Sequence, residues 1–260
     1  MREPFDLLAP GAPAMVALLA FRLSGMMLVA PLYSGRVVPV PIRVAVLLVL
    51  TALLIPVAWG HLDRVPQVSP AALIQEMLIG FAIGLGAAVL IGAAEVAGDY
   101  VALQTGLSSA GLLDPVSGGT VPTLGQFTHL FALTTFLTLN GHFLVLEALA
   151  ASTELIPVGA GVAGEDGLVE MILLGSHLFA VGLRIAAPVI VAALIANLAL
   201  GILNKAAPQF NVLLMAFPVQ IGIGLLVLAL TLPLLATFIS SWPGIYEGLA
   251  SRLIEALRGS

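Results

Sequence analysis

Cysteine is missing from this 260-residue sequence, charge is scarce, and neither a phosphate-cradling loop nor a metal-ligand spacing occurs. Each absence removes a class of function. Without cysteine there is no disulfide framework, no iron–sulfur cluster and no thiolate-held zinc. The 4 histidines are scattered, and no pair has the spacing that puts two ligands on one helix face, so no metal or other cofactor is expected. No glycine-rich loop runs into Lys-Ser or Lys-Thr, which excludes ATP binding by that route. Catalysis finds equally little support. The run GLSSAG at 106–111 superficially offers a serine, but its small residues are in the wrong order for a nucleophile loop and no supporting acid is evident. Gly98-Asp99 lacks the second aspartate motif that an aspartyl intramembrane enzyme needs. The chain reads as a non-enzyme. A net charge of −5 supplies no basic footprint, so nucleic acid is not an expected partner.

What is present is apolar. Hydrophobic residues make up 60% of the chain and charged ones 9%, against about 25% charged in an ordinary soluble domain. Such a chain cannot cover a water-facing surface, and its many Gly, Ala and Leu residues suit helices packed closely in lipid. Runs with little or no charge lie at 14–34, 44–62, 77–94, 127–146, 185–204 and 206–246. A crossing takes roughly 20 apolar residues, so about six spans are expected, the last one kinked or shaped by Pro208, Pro218, Pro233 and Pro243. The fold class is therefore all-α, a multi-pass membrane protein. Arg2, Glu3 and Asp6 precede the first run and Arg22 interrupts it, a pattern read as an uncleaved first membrane segment. Segments 72–104 and 168–204 stay helix-compatible for longer than a bilayer is thick, so those helices must tilt, break or stand partly outside lipid.

Charge does not orient the chain. With six spans one side receives Arg36, Arg43 and Lys205 and the other Arg2, Arg64, Arg252 and Arg258; three against four is no asymmetry. Arg22 and Arg184 sit inside apolar helices, where an Arg costs about 2.5–3.5 kcal/mol on the insertion scale. Two readings stay open for them: a charge that lines a conduit or pairs across subunits, or a side chain that snorkels out of a helix not immersed in lipid. Glu95 and Asp99 share one helix face, as a proton relay or as a water-facing or subunit-facing stripe. Gly80, Gly84 and Gly86 form a small-residue face for close helix packing. At the C-terminus, Ile245, Leu249, Leu253 and Leu257 fall four apart with charges on other faces. Residues 241–260 are therefore expected to form an amphipathic helix that lies on a membrane or on a partner.

Taken in chain order, several motifs resemble those of one known family. Ala30-Pro31-Leu32-Tyr33 with Arg36, Pro39 and Arg43 is similar to the family's first-loop signature. Glu76-Met77-Leu78-Ile79-Gly80 with Gly84 resembles the start of its long third helix. Ala97-Gly98, Gln104, Gly106-Leu107, Asp114-Pro115 and Pro122 resemble its central loop, and Asn140-Gly141-His142 its NGH motif. Most specific is Leu203-Asn204-Lys205-Ala206-Ala207-Pro208-Gln209-Phe210-Asn211-Val212 followed by Phe217-Pro218-Val219-Gln220-Ile221. Together these motifs resemble the FliR family of bacterial flagellar export-gate subunits and its injectisome relative SctT. The resemblance covers residues 14–240 as one export-gate helical domain, after a short N-terminal segment, 1–13.

The resemblance implies a subunit built of long, broken helical hairpins, with a FliP-like front half and a FliQ-like back half. It implies assembly with FliP-like and FliQ-like subunits around a conduit for unfolded substrates, beside FlhB and FlhA, in the bacterial inner membrane at the flagellar basal body. It also implies a plug, here 106–122, carried by Gly106, Leu107, Ser108, Ser109, Gly111, Leu112, Leu113, Asp114 and Pro115. The residues suit that role: glycines permit non-helical backbone at membrane depth, and leucines block a lumen by excluding water. The pentapeptide at Phe217–Ile221 looks more flagellar than injectisome. An independent secondary transporter is the competing reading, though paired broken segments in two halves are not seen.

Overall fold

The computed structural model describes residues 11–34, 38–60, 66–104, 124–160, 166–206 and 212–258. Among them every regular element is an α-helix. In chain order these are α1 (Ala12–Val29), α2 (Pro31–Ser34), α3 (Val40–Gly60), α4 (Pro70–Gln104), α5 (Leu124–Thr138), α6 (Gly141–Leu155), α7 (Asp166–Ala206), α8 (Val212–Ser240) and α9 (Trp242–Arg258).

Local chemistry sets the ends. Gly11 precedes α1 with φ 100°, a left-handed conformation that glycine adopts without a Cβ penalty, and Pro13 fits the first turn, where its missing N–H is not needed. The helix stops at Ala30, whose N–H bonds to the Met26 carbonyl, because Pro31 disfavours helical backbone in the residue before it. Ser69 caps α4, its hydroxyl accepting from the Ala72 N–H at 3.1 Å, with Pro70 in the first turn. Asn140 separates α5 from α6 at φ 59°, a conformation asparagine tolerates better than most residues.

Among the described residues four helices are long and apolar enough to cross a membrane: α1, α3, α4 and the Ala180–Ala206 part of α7. The bent pair α5 and α6 makes a fifth if counted as one span, and Pro218–Leu230 is a shorter apolar stretch. Among the described residues these four to five spans accord with a multi-pass chain; the run 127–146 is bent at the Asn140 turn, and the last run divides at Ser241 between α8 and α9. Helix α8 itself continues through Pro218 and Pro233. The excess length read from sequence is present: α4 has 35 residues and α7 has 41, or about 52 and 62 Å at 1.5 Å per residue, against a hydrocarbon core of roughly 30 Å.

The chain forms two compact units. The first comprises Met1–Val89, Leu137–Gly175 and Trp242–Ser260. Its core joins Met15, Leu18, Leu19, Leu23 and Met26 of α1 to Ile79, Ala82 and Ile83 of α4 and Leu149 of α6, all buried. Glycines let α1 and α4 touch backbone to backbone: a Cβ on Gly80 would lie 1.7 Å from the Arg22 carbonyl oxygen, and one on Gly25 2.0 Å from that of Met77. Gly84 meets Met26 in the same way, so the small-residue face packs as its spacing predicts. Only 11% of the apolar window of α3 is buried, leaving Val44, Leu48, Val49 and Leu53 facing outward.

Helix α9 packs inside this first unit through a stripe adjacent to the apolar one read from sequence as facing a membrane or a partner. Trp242, Tyr246, Ala250 and Ile254 are buried, while Ile245 is exposed. The Tyr246 hydroxyl donates to the Ile83 carbonyl at 3.1 Å and its ring covers Gly86.

The second unit comprises Leu90–Phe136 and Ser176–Ser241. Ala97, Val101, Ala186 and Val189 form its core, joined by Leu124, Val227 and Leu228. Here α7 approaches α4 at Gly182, where a Cβ would come within 2.9 Å of Val96.

Candidate functional site

Among the described residues the most extensively bonded buried polar group is a lock in the first unit. Arg22, wholly buried on α1, donates through Nε to Glu76 Oε2 of α4 at 2.5 Å. Its Nη1 donates to Ser152 Oγ of α6 at 3.1 Å and its Nη2 to the Ile156 carbonyl at 3.0 Å. The second oxygen of Glu76 accepts from the Gly159 N–H at 2.8 Å, and the Ser152 hydroxyl donates to the Leu149 carbonyl at 2.6 Å. Gly159 sits at φ 83°, close against Pro66. One guanidinium thus ties three helices and the turn after α6 together. Arg22 neither lines a conduit nor snorkels: its partner is in its own chain. Arg184 stands exposed on α7.

A second arrangement lies in the other unit, on the helices that flank residues 105–123. Gly98 of α4 and Gly125 of α5 pack almost in contact: a Cβ on Gly98 would fall 2.7 Å from both the Gly125 Cα and the Leu124 carbonyl oxygen. Beside this crossing, Glu95 Oε2 and His129 Nδ1 stand 2.9 Å apart, both partly exposed. Asp99 lies one turn further on, its carboxylate filling the space beside Gly125. The acidic pair read from sequence is therefore an acid–histidine contact plus a second acid. Among the described residues no group of three His, Asp or Glu side chains is placed to hold a metal.

The residues singled out from sequence are distributed as follows. Pro31 opens α2, and Arg43 turns back on α3 to donate to the Val38 carbonyl at 2.9 Å. Glu76 and Gly80 belong to the buried lock and its helix crossing, and Gln104 is the last residue of α4. Asn140, Gly141 and His142 form the turn into α6. Gly141 is buried, and the His142 ring lies 4.2 Å from that of Phe143 with its Nδ1 buried and without a partner. Asn204 and Lys205 are exposed in the last turn of α7, and Phe217 and Pro218 lie on α8. Gly106, Leu107, Ser108, Ser109, Gly111, Leu112, Leu113, Asp114, Pro115, Pro208, Gln209 and Asn211 fall outside the described residues. Sequence reasoning missed Ser152, Gly159 and the pairing of His129 with Glu95; the available signal for the lock was an Arg alone in α1 and a Glu far along α4 from that helix's other acids.

A family profile described as bacterial export proteins, family 1, matches residues 14–242. The chain belongs to this export family. Its relatives include flagellar biosynthetic protein FliR of Escherichia coli K12, 34% identical over 212 residues that cover 80% of each chain. FliR of Pectobacterium carotovorum is 31% identical with 84% of each chain covered, and FliR of Bacillus subtilis is 28% identical with 81% of this chain and 83% of that one covered. The export-family match spans both compact units, so the buried lock, the glycine crossing and the α7–α8 pair all lie within it.

Proposed function

We propose that this chain is a structural and gating subunit of the flagellar protein export gate. In this reading it forms, with FliP-like and FliQ-like subunits, the conduit by which unfolded flagellar substrates cross the inner membrane, with FlhB and FlhA as neighbours. The observation that carries the proposal is the export-family match over 14–242, with FliR-named relatives aligned across at least four-fifths of this chain.

Physical features support it. Helices of 35 and 41 residues are too long for plain crossings of a bilayer, as a subunit standing partly above the lipid requires. The exposed apolar side chains of α3, and those of α7 such as Val191, Leu194, Ile195, Leu198 and Ile202, suit burial against other helices. Within this proposal residues 106–122 are the plug, with Leu107, Leu112 and Leu113 closing the lumen and Gly106, Gly111, Gly118 and Gly119 permitting the backbone path. The rigid Gly98–Gly125 crossing next to that segment supplies a fixed base.

The test is co-expression of the tagged chain with the FliP-like and FliQ-like subunits of the same organism, followed by detergent extraction. A discrete complex containing all three is expected. Recovery of the chain as a well-behaved monomer, with its partners present and unbound, would overturn the proposal.

A further inference from the structure

We infer that Asn197 and Gly201 on α7, with Gln220 on α8, form a docking site for a membrane-embedded helix of another subunit, one that carries an uncharged hydrogen-bonding side chain. The inference rests on the assembly reading above and names the surface and the chemistry by which a partner is held.

The Gln220 Nε2 donates to the Asn197 Oδ1 between α7 and α8. Two amides offer four N–H donors and two carbonyl oxygens, and this bond uses one of each. The remaining groups point outward, since Asn197 is exposed and Gln220 half-buried. Asn197 lies four residues, or about 6 Å, from the middle of the Ala180–Ala206 crossing helix. Around it, Ile195, Leu198 and Ile202 are 64%, 67% and 62% exposed.

No simple solvent suits this face. If α7 lies in lipid, acyl chains cannot satisfy the free amide groups; if it stands above lipid, water cannot favourably cover the leucine and isoleucine side chains. A protein helix of mixed character satisfies both. Gly201 is a second, independent observation. It shares a helix face with Asn197, four residues on, and a Cβ there meets nothing within 4 Å, as at Gly222 on α8. Among the described residues neither glycine packs against another part of this chain. What Gly201 leaves is room for a neighbouring backbone to approach, the usual reason for small residues at helix interfaces in membranes.

Gly201→Leu tests the site, because its side chain meets none of the described residues of this chain but occupies the partner's path. Asn197→Leu removes the polar anchor. Each is co-expressed with the gate subunits and compared with wild type for partner recovery, with tryptophan-fluorescence melting of the detergent-extracted chain as the fold control. Gly201→Leu should lose the partner while melting like wild type. Asn197→Leu should recover roughly three- to twentyfold less, the range expected for one interhelical hydrogen bond. Wild-type recovery by both variants overturns this site and leaves the assembly reading intact; a wild-type chain that recovers no subunit overturns both. Because the chain has no cysteine, Leu198→Cys also provides a single thiol for benzophenone-maleimide photocrosslinking in native membranes. A crosslink to a different gate subunit supports the site. Crosslinking only to lipid, or only to a second copy of this chain, overturns it.

Discussion

Replacing Arg22 by leucine removes the one cation buried on α1 and leaves the Glu76 carboxylate, 2% exposed, with the Gly159 N–H as its remaining partner. Breaking a buried ion pair from one side costs about 3–5 kcal/mol, because the surviving charge stays desolvated. That is a large fraction of the 5–15 kcal/mol that holds a typical fold together. The Ile156 carbonyl loses its donor as well, so the turn after α6 is expected to loosen together with the α1–α4 contact. Arg22→Leu/Glu76→Leu removes both charges and leaves only neutral groups, the Gly159 N–H and the Ile156 carbonyl, to be satisfied. The double variant should therefore be no less stable than Arg22→Leu alone, a strongly non-additive outcome. Glu76→Gln, which keeps the shape and one acceptor, should fall between wild type and Arg22→Leu. Melting of the detergent-extracted chain, followed by the fluorescence of Trp59 and Trp242, reads these differences. An Arg22→Leu chain that melts with wild type, or a double variant whose loss equals the sum of the single losses, would refute the lock.

Other consequences follow from single contacts. Gly80→Val should separate α1 from α4, since even a Cβ there would overlap the Arg22 carbonyl oxygen at 1.7 Å, and membrane accumulation of the chain should drop. Gly98→Ala, facing backbone atoms at 2.7 Å, should cost about 1–3 kcal/mol in melting experiments. Gly125→Ala should cost less, because the atom it meets first is the movable end of Asp99. Tyr246→Phe should lose about 0.5–1.5 kcal/mol with its hydrogen bond to Ile83. Burial holds the Tyr246 phenol well above its ordinary titration range. Its contribution is therefore complete below the unfolded pKa of about 10 and declines as pH rises past it, so wild type should lose more stability than Tyr246→Phe between neutral pH and pH 11.

Class and helix positions were legible in the sequence because charge marks the limits of apolar runs, and glycine spacing marked the α1–α4 crossing correctly. Partners distant in sequence were not legible. Arg22 and Glu76 are 54 residues apart and Ser152 is 130 from Arg22, and periodicity describes a helix face without saying what it meets. Helix α9 shows the limit at short range. Two adjacent stripes both repeat every four residues, and the leucines drew attention to Ile245, Leu249, Leu253 and Leu257 as the face for a membrane or a partner. The structure also buries the neighbouring stripe, Trp242, Tyr246, Ala250 and Ile254, within the chain, since Tyr246 finds both a glycine to cover and a carbonyl to bond. The turn at Asn140, where asparagine and glycine suit a helix end, divides into two helices an apolar run that charge spacing alone shows as one.

The conduit reading is tested most directly by membrane conductance in cells that carry the FliP-like and FliQ-like subunits together with this chain lacking residues 107–113. The account predicts an assembled complex that leaks ions and small solutes, because removal of the apolar constriction leaves a water-filled path. A complex that assembles normally and stays tight would contradict it.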